Sequence, residues 1–80
     1  MAGDYDLLDV RTKVERAKQS LGGVHIPLDE LMAKKKYLPK GHKILVYCQS
    51  GIRSQRAIAV LKELGINKEF LNLKGGVSRI

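Results

Sequence analysis

The 80-residue sequence has a single cysteine, so no disulfide can form within the chain. That economy suits a reducing cytoplasm, which is the expected location. Tryptophan is absent, and the aromatics amount to one phenylalanine and three tyrosines, so the core must be built from Leu, Ile, Val and Ala. No apolar run approaches the roughly 20 residues of a membrane-spanning helix, so no membrane role is expected. The start, Met1-Ala2-Gly3-Asp4, lacks the basic-then-apolar layout of a secretory signal. Acidic residues are few, eight against fifteen basic ones, for a formal charge of +7. Such a balance admits nucleic acid or an acidic protein partner. No aromatic residues are interleaved with the basic ones, however, so nucleic acid is not expected and a solvated basic surface is the plain reading.

With 44% hydrophobic and 29% charged residues, the chain has the composition of a globular protein, and its length allows one domain, residues 1–80. Asp6 to Val10 is a short apolar stretch that predicts a strand. Lys43 to Cys48 is a nearly continuous, β-branched and aromatic run, as in a strand buried on both faces of a parallel sheet. Glu69 to Leu73 predicts a third strand, and Val24-His25-Ile26 a brief fourth, cut off by Pro27. Between them, Ser54 to Leu64 places Ala57, Ile58, Leu61 and Leu64 at helical spacing before Gly65. Asp29 is positioned to cap a helix reaching Tyr37, with Leu31, Met32 and Leu38 as its apolar stripe. The Lys34-Lys35-Lys36 run near its end would complement the helix dipole. Lys13 to Ser20 predicts a shorter helix, broken by Gly22-Gly23. Alternating strands and helices imply βαβ units and a parallel sheet.

The informative segment is Cys48-Gln49-Ser50-Gly51-Ile52-Arg53-Ser54, which leaves the most buried strand and enters the most regular helix. Ligands in open α/β sheets bind outside the carboxyl ends of strands. Backbone N–H groups at a helix start lack intrahelical partners and form an anion site there. A thiol in that position is pushed toward thiolate, and cysteines so placed are the reactive ones. The alternative is that Cys48 is a small hydrophobe ending a strand. Gln49, Ser50 and Gly51 favour the reactive reading, because small or polar residues allow a tight, amide-lined turn. Arg53 favours it too: a cation at a helix start opposes the dipole, which suggests that it has an anion to hold.

Asp9-Val10-Arg11, Ile26-Pro27-Leu28, Val46-Tyr47-Cys48 with its loop ending in Arg53-Ser54, and Leu73-Lys74-Gly75-Gly76 resemble the successive signatures of rhodanese-like domains. They stand in that family's order from about Asp6 to Gly76. The resemblance implies a small α/β domain with a parallel sheet flanked by helices on both faces, in a minimal or trimmed version. It implies a sulfurtransferase in which Cys48 accepts sulfane sulfur, for example from thiosulfate, and holds it as a persulfide. A thiol, cyanide or a sulfur-carrier protein would be the acceptor, no cofactor is implied, and a monomer is expected. By the same likeness the amides of Gln49, Ser50, Gly51, Ile52 and Arg53 cradle the persulfide, and the Arg53 side chain steadies the loop or the anionic donor. Asp9, Arg11 and Ser54 are supporting residues; the first two can equally be a structural ion pair. Gly75-Gly76 would lie near the loop, where the lack of side chains permits close approach. Four residues separate Cys48 from Arg53. Cell-cycle dual-specificity phosphatases share the family's fold with one residue more, so the shorter loop favours sulfur over phosphate.

Two readings stand beside this one: a non-catalytic module of the same fold that docks an acidic partner through the basic surface, and a phosphatase. His25 and His42 are too isolated to form a metal site with one cysteine. His42, in a Pro-Lys-Gly-His turn, is expected to be exposed.

Overall fold

A computed structural model of the protein describes residues 4–79, so the reading of Met1–Gly3 lies outside its described residues. Four strands form, β1 (Asp6–Asp9), β2 (Val24–His25), β3 (Lys43–Tyr47) and β4 (Glu69–Asn72). Helices α1 (Lys13–Lys18) and α2 (Ile52–Glu63) connect β1 to β2 and β3 to β4. All pairings are parallel, in the order β2-β1-β3-β4. Each strand ends one residue before the apolar run that predicts it. The next residue has turned out of the ladder but still bonds to the sheet: Val10 N–H donates to the Tyr47 carbonyl and Leu73 N–H to the Val46 carbonyl, both at 3.1 Å.

From β1 the chain moves to β2 on one side, then returns past β1 to β3 and on to β4. Right-handed crossovers running in opposite directions put their helices on opposite faces. This is the α/β arrangement expected from the sequence. The reversal leaves a crevice between the carboxyl ends of β1 and β3, where Asp9-Val10-Arg11 and Cys48 emerge.

Residues in register share a face, so Leu8 stands beside Val46, and Ile44 beside Phe70. That face meets Ala57 and Leu61 of α2 together with Leu31 and Leu38, all buried. Burying one such leucine side chain is worth about 1.5–3 kcal/mol. On the opposite face Tyr47 is fully buried, and its hydroxyl donates to the Gly22 carbonyl (2.9 Å) and accepts from Leu21 N–H (3.2 Å).

The helix expected over Asp29–Tyr37 is not formed. Two three-residue 3-10 helices, Leu28–Glu30 and Lys35–Tyr37, flank a turn instead, and no side chain caps the first. Only Leu31 and Leu38 of the expected stripe are buried, while Met32 is 68% exposed. Two apolar anchors do not hold a continuous α-helix to the sheet. The lysine run therefore serves no helix dipole: Lys34 pairs with Glu30 at 2.6 Å and Lys36 lies over the Tyr37 ring. His42 is exposed, as expected.

Candidate active site

Cys48 is the first residue beyond β3, and it exposes none of its surface. Its carbonyl accepts from Val77 N–H (2.9 Å), and that of Gln49 accepts from Ser78 N–H (3.0 Å), which pins the loop to the segment after β4. Gly76 permits this approach: at φ +64 a Cβ there would fall 2.4 Å from the Cys48 carbonyl oxygen. The expected closeness of the glycine pair to the loop is thus present.

Helix α2 begins at Ile52, two residues before the expected Ser54, so Ile52 and Arg53 belong to its first turn. Its N-cap is Gly51, at φ 96, which no side chain caps. The orphan amides have another acceptor. Gly51 N–H and Ser54 N–H both donate to Cys48 Sγ, at 3.0 and 3.3 Å. The sulfur occupies the place that a capping oxygen takes in other helices. Burial pushes the Cys48 thiol up, but hydrogen bonds from the Ser54 hydroxyl and from the amides of Ser54, Gly51 and Ser50 outweigh it. The thiol lies below its ordinary value.

The anion held by Arg53 is a residue of the chain itself. Its guanidinium makes two 2.7 Å hydrogen bonds to the Glu15 carboxylate. Glu15 is also the N3 residue of a capping box on α1, accepting from Thr12 N–H while Thr12 Oγ1 accepts from Glu15 N–H. Arg53 holds the Glu15 carboxyl down at about 2. Helix α1 is thereby tied to the first turn of α2. The sequence reading missed Glu15, although Thr12-x-x-Glu15 is a capping-box pattern.

Asp9 and Arg11 form a fully buried pair: Asp9 accepts from Arg11 N–H (2.9 Å), Nε (3.0 Å) and Nη2 (3.0 Å). Burial pushes the Asp9 carboxyl up, yet the Arg11 hydrogen bonds hold it below its ordinary value. Arg11 also reaches the loop, donating to Gln49 Oε1 at 3.4 Å, and lies over the Tyr47 ring. His25 Nε2–H donates to the Arg11 carbonyl at 2.7 Å. A second missed residue is Asn72, at the end of β4. It meets the Ser54 hydroxyl through Oδ1, and its Nδ2 donates to the Gly51 carbonyl at 3.1 Å. The structure therefore gathers Cys48 through Ser54, Asp9 and Arg11 at one end of the sheet, and adds Glu15 and Asn72. Ile52 is the outlier, with its side chain 73% exposed.

A buried cysteine cradled by helix-start amides at the switch point of a parallel sheet defines a thiol-based α/β domain. Comparison with known proteins gives its family: the model of the rhodanese-like domain matches residues 1–80, and the chain belongs to that family. It is 33% identical over 75 residues to a sulfurtransferase of Allochromatium vinosum, spanning 92% of this chain and 69% of that protein. A rhodanese-related protein from Thermoplasma volcanium superposes with a TM-score of 0.77 at 34% identity, over 95% of this chain and 75% of that one. An NAD-dependent persulfide reductase from A. fulgidus is 37% identical with a TM-score of 0.74, and 95% of this chain covers 14% of it. Among the described residues no helix is long and apolar enough to cross a membrane.

Proposed function

We propose that Cys48 is the sulfur carrier of a rhodanese-type sulfurtransferase working in a reducing cytoplasm. The observation that supports it is the Cys48 sulfur acting as the shared acceptor of the Gly51 and Ser54 amides at the start of α2. A thiolate gains more from those donors than a thiol does, and each tenfold preference corresponds to about 1.4 kcal/mol.

In the first half-reaction the Cys48 thiolate attacks the outer sulfur of a donor such as thiosulfate. The new Sγ–S bond forms as the donor's S–S bond breaks, and sulfite departs with the electron pair. The negative charge then lies on the outer sulfur of the persulfide, where the loop amides from Gln49 to Arg53 would cradle it. In the second half-reaction a thiol, cyanide or a sulfur-carrier protein attacks that outer sulfur, and Cys48 leaves as a thiolate. Arg53 acts at one remove, steadying the first turn of α2 through Glu15, while Asp9 and Arg11 steady the loop through Gln49. Because Cys48 is fully buried, the donor reaches Sγ only after a local opening of the loop.

The test is mass spectrometry after incubation with thiosulfate. One sulfur, about 32 Da, is expected at Cys48 alone, and cyanide should remove it as thiocyanate. If no sulfane donor changes the mass, the domain is a docking module for an acidic partner instead.

A further inference from the structure

The Ser54 hydroxyl has one proton and three neighbours that compete for it. Ser54 Oγ lies 3.5 Å from Cys48 Sγ and 3.1 Å from the Gly51 carbonyl oxygen, and it is hydrogen-bonded to Asn72 Oδ1. The orientation of the Asn72 amide is fixed by its other end. Nδ2 donates to the Gly51 carbonyl at 3.1 Å, and a flipped amide would set two carbonyl oxygens against each other. An acceptor therefore faces the buried Ser54 hydroxyl.

The placement of that proton follows the state of the sulfur. In the thiol, Cys48 S–H donates to Ser54 Oγ, and Ser54 donates onward to Asn72. In the persulfide, Sγ carries no proton and little charge, so Ser54 keeps its bond to Asn72. In the free thiolate, Sγ draws the Ser54 proton to itself. Two oxygens, Ser54 Oγ and Asn72 Oδ1, are then left facing each other with no proton between them. Two acceptors set against each other, one of them on the fully buried Ser54, are costly.

We propose that Asn72 is a positioning residue that acts through the Ser54 hydroxyl to favour the sulfur-loaded form of Cys48 over the free thiolate. The proposal rests on the reading of Cys48 as a sulfur carrier. The hold of Asn72 on the Ser54 proton is measurable without any sulfur transfer. The charged groups around the loop are Arg53 with Glu15 and Asp9 with Arg11, and Lys74 lines the cleft beside Asn72. All of them are retained when Asn72 is replaced, so they set a common baseline.

Alkylation of Cys48 by iodoacetamide against pH, on the full chain, gives the inflection of the thiol. In Asn72→Ala the inflection should move down, and the rate below it should rise about threefold to tenfold, the equivalent of one neutral hydrogen bond. Asn72→Leu keeps the number and branching of the side-chain heavy atoms, provides a second variant should the alanine not fold, and should behave alike. In a thiosulfate–sulfite mixture above that inflection, the ratio of sulfur-loaded to free Cys48 should fall by the same factor. In a Ser54→Ala background neither substitution should shift the inflection. An equal shift in both backgrounds would mean that Asn72 works through Gly51, and the proposal fails. An upward shift, or none, overturns it too. A parent that loads no sulfur from any donor removes the carrier reading and the preference proposed for the loaded form, while the alkylation profiles still decide whether Asn72 acts on Ser54.

Discussion

Replacing Glu15 by Gln removes one charge from the pair that ties α1 to α2, and glutamine can still serve in the capping box with Thr12. The Glu15 and Arg53 side chains are 29% and 34% exposed, and the contact is a two-pronged, charge-assisted one. Taken alone, the fall of the Glu15 carboxyl from 4.5 to about 2 corresponds to roughly 3 kcal/mol. Water screens groups this exposed, and about 1–2 kcal/mol is the expected contribution. A carboxyl held low in the folded state stabilises above its unfolded value and loses that contribution as pH falls through the folded one. The parent should therefore exceed Glu15→Gln by a constant margin above pH 4.5, and the margin should close as pH falls toward about 2. Urea unfolding followed by far-ultraviolet circular dichroism between pH 7 and the acid limit measures it. Thiosulfate loading at pH 7 should fall about tenfold, since the first turn of α2 loses its outer tie. Equal stability at pH 7, or a margin that persists unchanged into acid, would refute the ion pair as the tie.

Two further substitutions test the loop itself. Gly76→Ala requires an L-residue at φ +64 with its Cβ 2.4 Å from the Cys48 carbonyl oxygen, so the 48–49 carbonyls must separate from Val77 and Ser78. A loss of about 2–4 kcal/mol in urea unfolding is expected, and a loss under 0.5 kcal/mol would mean the segment after β4 is not pressed against the loop. Inserting one glycine between Ile52 and Arg53 gives the phosphatase loop length, but the insertion falls inside the first turn of α2 and carries Ser54 away from Cys48 Sγ. Thiocyanate production should fall about a hundredfold. A parent that hydrolyses an aryl phosphate while failing with thiosulfate would replace sulfur transfer by phosphate chemistry.

The central strand was legible because a strand buried on both faces needs a nearly continuous apolar run, and the stretch from Ile44 to Tyr47 supplies one. Helix α2 was legible for a similar reason, with Ala57 and Leu61 one turn apart and both buried. The segment from Leu28 to Tyr37 was not. Leu31 and Leu38 suit a two-turn helix as well as two separate 3-10 turns, and only packing against β1, β3 and α2 decides between them. Strand ends were overrun by one residue, because an apolar residue just past the ladder packs into the same core.

The site divides along a comparable line. Asp9 and Arg11 stand two residues apart, so their pairing can be read locally. The tie of Glu15 to Arg53 spans 38 positions and that of Ser54 to Asn72 spans 18, and the sheet order that closes those gaps is not written in either segment. What the sequence does carry is a conflict at each such place. Arg53 sits at a helix start, against the dipole, and the helix begins at a glycine with no side-chain cap. Each oddity is resolved by a partner from elsewhere in the chain. The amides that would need a capping oxygen are given to the Cys48 sulfur, and the cation that would destabilise the helix start is neutralised by a carboxylate from α1. A helix that gives up its own cap and carries the wrong charge in its first turn has had that turn built around another atom, here the one sulfur of the only cysteine.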